Sequence, residues 1–219
     1  MQAEGFAIKY IHRTHRQGYK AGALKAGMAV ARGEFLAIFD ADFIPNPDFL
    51  RRTIPHFSDP GIGVVQTRWG HLNRDYSWLT RVQAFALDAH FTVEQVGRNS
   101  GNHFINFNGT AGVWRKQCIE DAGNWQSDTI TEDLDLSYRS QIRGWKFKYL
   151  EEVETPGELP VLISAARSQQ FRWNKGGAEN FQKMKKLLFS RKTAPLKTRI
   201  HAFFHLLNSS MFINVLLVS

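Results

Sequence analysis

Short apolar runs alternate with amphipathic stretches along the first third of the chain. Apolar runs at residues 6–11, 35–39 and 62–69 predict strands. Between them, an Ala-rich stretch that ends near Gly33 and a stretch that opens at Pro47 predict two helices. The order strand, helix, strand, helix, strand indicates βαβ units, and therefore an α/β fold with a mainly parallel sheet.

The pattern becomes more helical in the second half of the chain. A long helix is expected over residues 75–97, a helix over about 131–143 and a strand over 146–150. A stretch rich in Arg, Lys and Gln then predicts a helix, a glycine break and a second helix over 178–192, which is basic and amphipathic. The final residues, 200–219, become increasingly apolar.

Two carboxylates stand at the tip of the second predicted strand. Asp40 and Asp42 follow the apolar run directly, with only Ala41 between them. In parallel sheets, ligands bind at the carboxyl ends of the strands. Two neighbouring carboxylates need a compensating charge, and Mg²⁺ or Mn²⁺ supplies it while bridging them to substrate phosphates. The alternative is a solvated turn that caps the next helix.

Two further polar clusters follow later in the chain. At residues 131–133 (TED), Asp133 stands at a helix start, where the helix dipole favours an ionised carboxylate. That carboxylate is either a general base or a plain helix cap. In the segment 169–173 (QQFRW), Arg172 offers a ligand for a diphosphate and Trp173 a flat apolar platform. The alternative for this segment is a helix face that packs on the core.

The three clusters, taken in this order, resemble motifs of a known family. Asp40-Ala41-Asp42, Thr131-Glu132-Asp133 and Gln169 through Trp173 are similar to those of the processive family-2 glycosyltransferases. That family includes cellulose, chitin and hyaluronan synthases and the mannan and glucan synthase-like enzymes. The stretch from Lys20 and the segments VQTRW and FNGTAGVWR are also similar to it, so the resemblance covers nearly the whole chain.

The resemblance implies a fold, a reaction and a set of site residues. The fold is a Rossmann-like GT-A domain, and the enzyme inverts the anomeric carbon as it moves a sugar from a nucleotide diphosphate sugar to a growing β-linked polysaccharide. Asp133 is the implied general base, and Asp40 and Asp42 are the implied ligands of Mg²⁺ or Mn²⁺. The residues implied to contact the nucleotide sugar or its diphosphate are Lys20, Asp40, Gln169 and Arg172. Those implied to contact the acceptor are Trp173 and Glu132.

The chain departs from the family pattern in two places. An earlier aspartate that helps to bind the nucleotide base has no counterpart, which predicts a catalytic domain truncated at its amino terminus. Some members carry a histidine after the second metal aspartate, and Phe43 in this chain excludes metal binding there. The expected organisation is the truncated GT-A domain over 1–165, the QxxRW segment with an amphipathic interfacial helix over 166–198, and the start of a transmembrane region over 199–219.

The charge balance adds a prediction about the membrane. Lys and Arg number 28 against 20 acidic residues, which gives a net charge of +8 and suits an anionic partner. Hydropathy alone fits a buried core helix over 200–219 as well as a membrane span, but cations precede the segment, as the positive-inside rule requires on a cytoplasmic side. Because the family embeds its catalytic domain between transmembrane helices, we expect membrane lipid as a partner. The expected location is the inner or plasma membrane or the Golgi, with the catalytic domain on the cytoplasmic side.

Two other functions fit parts of the same sequence. A basic nucleic-acid-binding module agrees loosely with the charge, but no familiar nucleic-acid motif is present, so nucleic acid is not an expected partner. A glycosidase with paired carboxylates is chemically possible, although a closely spaced Asp pair favours a metal. The single cysteine, Cys118, has no obvious base beside it in sequence and is expected to be structural.

Overall fold

The computed structural model describes residues 7–190 and 194–207. Four strands form one sheet: β1 (Phe35–Ile38), β2 (Ile62–His71), β3 (Gly112–Arg115) and β4 (Lys146–Gly157). The α-helices are α1 (Tyr19–Val30), α2 (Phe49–Thr53), α3 (Trp78–Ala89), α4 (Val96–Ser100), α5 (Lys116–Asp121), α6 (Glu132–Ile142), α7 (Ile163–Leu188) and α8 (Leu196–Leu206). Short 3₁₀ helices cover Ile54–Ser58 and Arg74–Tyr76, and a π-helical turn covers His90–Gln95.

The sheet is mixed, so the prediction of a mainly parallel sheet is wrong for its pairing. The strand order is β1-β3-β2-β4, in which β3 is antiparallel to both neighbours and only β2 and β4 pair in parallel. The error has a physical reason, since all four residues of β3 are buried and burial on both faces does not encode the direction of a strand. Strands β1, β2 and β4 still point the same way, and their carboxyl ends meet at one edge.

The first predicted strand is absent from the part of the chain that the structure describes. Residues 7–11 form no strand, and Tyr10 is 83% exposed, while residue 6 lies outside the described ranges. A strand is stabilised by backbone hydrogen bonds to a neighbour, and none of the four strands pairs with this segment. The apolar pattern therefore identified a sequence that suits a strand, but none of the described strands forms the backbone hydrogen bonds that would stabilise it.

Both faces of the sheet are covered by apolar side chains. Trp114 on β3 joins one core cluster together with Phe107 and Leu136, and its neighbour Val113 joins a second cluster on the opposite face. Cys118 is fully buried in the first cluster, and burial raises the pKa of its thiol to about 12. This burial in the core agrees with the expected structural role.

The helix α7 runs without interruption through the predicted glycine break. Its Gly176 approaches Thr131 so closely that a Cβ atom would lie 2.2 Å from the threonine Oγ1. The glycine therefore allows close packing between two elements and does not end a helix. The prediction of a break rests on the poor helix propensity of glycine, and this tertiary contact outweighs propensity.

The carboxyl-terminal half of α7 is amphipathic, and its apolar side packs against the protein. Met184 and Leu188 form a buried cluster with Tyr138 of α6 and with Ala202 and Leu206 of α8. The placement of this helix on a membrane is therefore not shown. Within the described ranges no helix combines the length and the apolar character needed to cross a membrane. Much of the predicted transmembrane start, residues 208–219, lies outside those ranges. The three-part division of the chain stays a prediction.

The close contact at Gly176 predicts opposite effects for two glycine substitutions. Gly176→Ala forces a methyl group against Thr131, and overpacking of this kind costs about 1–3 kcal/mol. Gly27→Ala is the matched control, because nothing lies within 4 Å of its added Cβ and alanine favours a helix by about 1 kcal/mol. Thermal unfolding should therefore place the Gly176 variant below the wild type and the Gly27 variant at or above it. Equal midpoints for the two variants would contradict the packing role.

Candidate functional site

A cavity of about 750 Å³ opens where the carboxyl ends of β1, β2 and β4 meet. Its lining includes every site residue predicted from the sequence: Lys20, Asp40, Asp42, Glu132, Asp133, Gln169, Arg172 and Trp173. These residues come from α1, the loop after β1, the start of α6 and the first half of α7. The fold therefore brings together groups that are separated by more than 150 positions in the sequence.

The first wall of the cavity is built where β1 ends. The amide of Asp40 donates to Thr110 Oγ1 at 2.9 Å, which holds the strand tip against the segment that leads into β3. The side chain of Asp40 pairs with Lys20, whose Nζ lies 2.6 Å from Oδ1. This ion pair leaves the second carboxylate oxygen of Asp40 and the exposed side chain of Asp42 as anionic groups beside the cavity.

A tight backbone turn brings Asp133 close to this ion pair. Gly109 adopts a φ of +82°, and a Cβ atom at this position would lie 3.0 Å from Asp133 Oδ2 and 3.5 Å from Lys20 Nζ. Only glycine combines this left-handed conformation with the space that the two charged groups occupy. Lys20 is thus placed between two carboxylates of the site, those of Asp40 and Asp133.

The pKa values of the two acids at the start of α6, Glu132 and Asp133, are both raised. Burial raises the pKa of Asp133, although the backbone amide of Leu134, which donates to its Oδ1 at 2.8 Å, and the charge of Lys20 lower it in part. Burial and the adjacent charge of Asp133 raise the pKa of Glu132 to about 7. The helix dipole alone predicts a readily ionised Asp133, and burial outweighs this effect. A raised pKa makes a carboxylate a stronger base, which suits proton abstraction.

The raised pKa of Glu132 predicts a pH-dependent effect on stability. Its value in the folded chain, about 7, exceeds the ordinary value of 4.5, so folding favours the protonated acid and stability declines as pH rises through this window. Glu132→Gln removes the ionisation, and we expect it to stabilise the chain by up to about 3 kcal/mol at pH 8 and by little at pH 4. Denaturant unfolding at both pH values measures this.

The control for that measurement is Glu151→Gln, which changes an exposed glutamate of β4 far from the cavity. It should alter the free energy of unfolding little at either pH. If the Glu132 variant gained nothing at pH 8 relative to pH 4, the carboxyl of Glu132 would not be held in a desolvated position.

The second wall of the cavity is the first half of α7. Gln169, Arg172 and Trp173 line the cavity from this helix, with the side chain of Arg172 exposed and those of the other two half-buried. Lys175 and Glu179 extend the same wall by two turns. Lys175 pairs with Glu179 at 3.7 Å, and the exposed guanidinium of Arg172 gives this wall a positive charge that suits an anionic ligand.

Several α7 side chains hold the loop that leads to Asp133. Glu179 accepts from the amide of Ile130 at 2.7 Å, and the buried amide of Asn180 donates to Thr131 Oγ1 at 3.0 Å. Lys183 pairs with Asp128 at 2.8 Å and with the fully buried Asp135 at 2.7 Å. These positioning residues were missed from the sequence, where the helix looked like a basic amphipathic surface. Their spacing of three and four residues was the available signal.

The donor set around Asp40 and Asp42 fits a hard divalent cation that shares its coordination with a ligand. Within the described ranges, no group of three or more His, Cys, Asp or Glu side chains is arranged to hold a metal alone. Two aspartates at a cavity rim nevertheless match the way Mg²⁺ and Mn²⁺ bind, through one or two carboxylates, waters and substrate phosphates. Phe43 packs edge-on against Trp69, with ring centroids 5.2 Å apart, and takes no part in this set.

A buried amide network supports the floor of the cavity and was also missed. Asn108 lines the cavity, and its Oδ1 accepts from Gln95 at 2.8 Å while its Nδ2 lies 3.1 Å from His90 Nε2. The backbone amide of Asn108 donates to the fully buried Gln66 at 3.0 Å. His90 and Gln95 bound the π-helical turn, a type of irregularity that is frequent at functional sites. In the sequence, only the similarity of the segment FNGTAGVWR to the family pointed to this region.

Comparisons with known proteins agree with this geometry. Residues 2–176 match the family model described as "Glycosyltransferase like family 2". The chain is 46% identical over 205 residues to "Glucomannan 4-beta-mannosyltransferase 1" of Cyamopsis tetragonoloba, an alignment that covers 92% of this chain and 39% of that protein. It is 50% identical over 186 residues to "Glucomannan 4-beta-mannosyltransferase 2" of Arabidopsis thaliana, covering 83% of this chain and 35% of that protein.

A solved structure shares the fold. The mannosyltransferase PcManGT from Pyrobaculum calidifontis, solved in complex with GDP-Man and Mn²⁺, superposes with a TM-score of 0.71 at 21% identity and covers 94% of this chain and 54% of that one. This likeness shows that the chain has the α/β fold of that structure, with the mixed sheet described above. The chain spans about two fifths of the length of the two glucomannan mannosyltransferases that it matches.

Proposed function

The chain belongs to the family described as "Glycosyltransferase like family 2", and from this premise we propose that it transfers mannose from GDP-mannose to a β-linked mannan or glucomannan. The relatives named above carry the activity "glucomannan 4-beta-mannosyltransferase" in their names, and the solved neighbour binds GDP-Man with Mn²⁺. Family membership also leaves the nucleic-acid-binding and glycosidase alternatives without support.

One observation carries the proposal. A single cavity gathers the two aspartates after β1, the acid pair at the start of α6 and the Gln, Arg and Trp side chains of α7. Transfer from a nucleotide sugar needs three groups close together: a holder for the diphosphate, a base for the incoming hydroxyl and a platform for the sugar. The cavity offers a chemically suitable residue for each of these tasks.

The base of the reaction is Asp133. Its carboxylate takes the proton of the acceptor hydroxyl, whose oxygen attacks the anomeric carbon of mannose. A new glycosidic bond forms as the bond between that carbon and the diphosphate oxygen breaks, and GDP leaves with the electron pair. Attack from the face opposite the diphosphate inverts the anomeric carbon, so an α-linked donor gives a β-linkage. The raised pKa of Asp133 favours the proton transfer.

The leaving diphosphate carries negative charge, and several groups at the cavity match it. Lys20 and Arg172 supply fixed positive charge, and Gln169 supplies a neutral amide donor. Asp40 and Asp42 would hold Mg²⁺ or Mn²⁺, which when bound acts as a Lewis acid toward the diphosphate. Trp173 offers its ring to a sugar face, and Glu132 offers a carboxyl group to sugar hydroxyls.

The direct test is transfer of radiolabelled mannose by the full chain. We expect label from GDP-mannose to enter a manno-oligosaccharide acceptor in the presence of Mn²⁺ or Mg²⁺, and to stay in the donor when a chelator is added. GDP-glucose and UDP-glucose serve as parallel donors, because a different preferred donor would retain the transferase and revise the sugar. Absence of transfer from every nucleotide sugar would refute the proposal for this chain.

We further propose that the chain acts at a membrane surface, with its catalytic domain on the cytoplasmic side. An apolar cleft of about 200 Å³ between the end of α7 and α8 supports this, because its lining residues Phe189, Leu196, Ile200 and Phe204 are largely exposed. Arg199 lines the same cleft, and Lys197 is exposed beside it. Exposed aromatic and aliphatic groups bordered by cations match an anionic lipid surface.

Vesicle binding tests the membrane proposal. We expect co-sedimentation with vesicles that contain anionic lipid and weaker binding to neutral ones, and we expect Phe204→Ser to reduce it. Tyr76→Ser is the matched control, because this aromatic side chain is about equally exposed but does not line the cleft. Equal binding of all three proteins to both vesicle types would contradict the proposal.

A further inference from the structure

A histidine at the end of β2 is held by a carboxylate on one side and borders the cavity on the other. His71 lines the cavity, yet only 4% of its side chain is exposed. Its Nε2 lies 3.1 Å from Oδ1 of Asp88 on α3. Arg74 binds the other oxygen of Asp88 at 2.5 Å, so both carboxylate oxygens are engaged. The reaction described above gives neither residue a role.

The contact with Asp88 fixes the tautomer of His71. A carboxylate only accepts hydrogen bonds, so the proton resides on Nε2, and Nδ1 carries the free lone pair. Burial lowers the pKa of His71, although the charge of Asp88 raises it in part, and the ring is therefore neutral. Among the residues that the structure describes, none donates to Nδ1. His71 thus offers the cavity a largely buried, neutral ring whose Nδ1 has no donor among the described residues.

The surroundings of His71 suit a sugar better than a phosphate. The cavity lining includes the apolar side chains of Trp69, Leu87 and Leu159, and the acid Glu158 follows Gly157, the register partner of His71 on β4, where its charge would repel a phosphate. Gln66 of β2 and Ile38 of β1 both pair with Gly112 of β3, so they lie level with each other in the sheet. His71 lies five residues beyond Gln66, and Asp40 lies two residues beyond Ile38. At about 3.3 Å per residue and about 4.8 Å per strand, His71 lies roughly 14 Å from Asp40. That separation distinguishes His71 from the diphosphate-binding groups.

We propose that His71 accepts a hydrogen bond through Nδ1 from a hydroxyl group of the acceptor oligosaccharide, and that Asp88 positions the imidazole for it. This inference rests on the proposed glycosyl transfer and identifies a residue that binds the acceptor. A neutral imidazole acceptor beside apolar surface recognises a neutral hydroxyl without attracting a phosphate. An acceptor that lacked this hydroxyl would leave Nδ1 of this largely buried ring without a donor, so the contact also gives selectivity.

The test compares three substitutions at His71. His71→Ala removes the acceptor atom, His71→Gln places its amide near the former Nε2, and His71→Asn places an amide oxygen near the former Nδ1. We expect the KM for mannotetraose to rise about 3- to 10-fold in the Ala and Gln variants, the usual worth of one hydrogen bond, and to stay near the wild-type value in the Asn variant. The KM for GDP-mannose should stay within twofold of wild type throughout.

Asp88→Asn tests the positioning role and serves if His71→Ala fails to fold. An amide donates to Nε2, which moves the ring proton to Nδ1 and removes the acceptor from the cavity, so the KM for mannotetraose should rise again. His56→Ala is the control, because His56 does not line the cavity. An unchanged KM for mannotetraose in folded Ala and Asp88→Asn variants would overturn the inference, as would a larger rise in the KM for GDP-mannose.

Calorimetry without donor separates this inference from the proposed function. Mannotetraose and cellotetraose are titrated into the wild type and into the folded variants. If no transfer occurs with any donor, weaker binding to His71→Ala than to the wild type still supports the sugar contact while the transfer proposal fails. If neither oligosaccharide binds the wild type, or both bind the Ala variant equally well, the inference is overturned.

Discussion

Replacing Asp133 by Asn is expected to lower the rate of sugar transfer by roughly two to four orders of magnitude, the usual contribution of a positioned base. Asparagine keeps the size of the side chain but cannot take the proton of the acceptor hydroxyl. The affinity for GDP-mannose should stay near that of the wild type, because the groups assigned to the diphosphate, Lys20, Gln169 and Arg172, are unchanged. Single-turnover kinetics and calorimetry on the same preparation measure both quantities.

The structure makes the Asp133 variant a clean test. The side chain of Asp133 accepts from the amide of Leu134, and an asparagine oxygen accepts the same bond. Asp133 is the second residue of α6, whose N-cap is Thr131, so an aspartate with only a local structural role would tolerate the change to asparagine. Removing a carboxylate whose pKa is raised by burial should moreover not destabilise the fold at neutral pH. Unimpaired transfer by this variant would assign the base to another group.

Asp121→Asn is the matched control for the Asp133 variant. Asp121 is an exposed acid at the end of α5 and does not line the cavity. It should retain transfer and donor affinity, which would show that the effect at Asp133 does not come from the altered net charge of the chain.

The sequence predicted which residues line the cavity better than it predicted how the strands pair. Asp40, Asp42 and Asp133 follow local rules, because carboxylates at a strand tip and at a helix start are visible in a few consecutive residues. Their meeting in one cavity also followed from the shared direction of β1, β2 and β4. Each of these inferences needed only local pattern and the general geometry of α/β proteins.

The missed features depend on contacts between distant segments. The antiparallel direction of β3 depends on which strands become its neighbours in the sheet. Gly176 looked like a helix break because Thr131, which it contacts, lies 45 residues earlier in the chain and is not visible in the local sequence. Asn180 and Lys183 looked like one polar helix face, yet they hold the loop before Asp133. Side chains of this kind carry no local signature, so single-sequence reasoning cannot separate them from solvated residues.

Replacing Asp42 by Asn is expected to lower transfer by roughly two to three orders of magnitude. Lewis-acid stabilisation of a leaving diphosphate contributes several kcal/mol, and each 1.36 kcal/mol corresponds to a factor of ten in rate. Asp42 is the better of the two aspartates to change, because Asp40 has structural contacts of its own. The side chain of Asp40 pairs with Lys20, and its backbone amide donates to Thr110 Oγ1. Asp42 is exposed and has no hydrogen bond or ion pair with any residue that the structure describes.

The absence of structural contacts at Asp42 means that a loss of activity in the variant reports on the cation and not on folding. Asp48→Asn is the matched control, an exposed acid six residues later that does not line the cavity. Calorimetry should show that Mn²⁺ strengthens GDP-mannose binding to the wild type and to the Asp48 variant, and does so much less for the Asp42 variant. Thermal unfolding should be the same for all three. If the Asp42 variant kept both its transfer rate and the gain in donor affinity from Mn²⁺, the cation would be bound by other groups, and the carboxylate pair at the strand tip would be no more than a solvated turn.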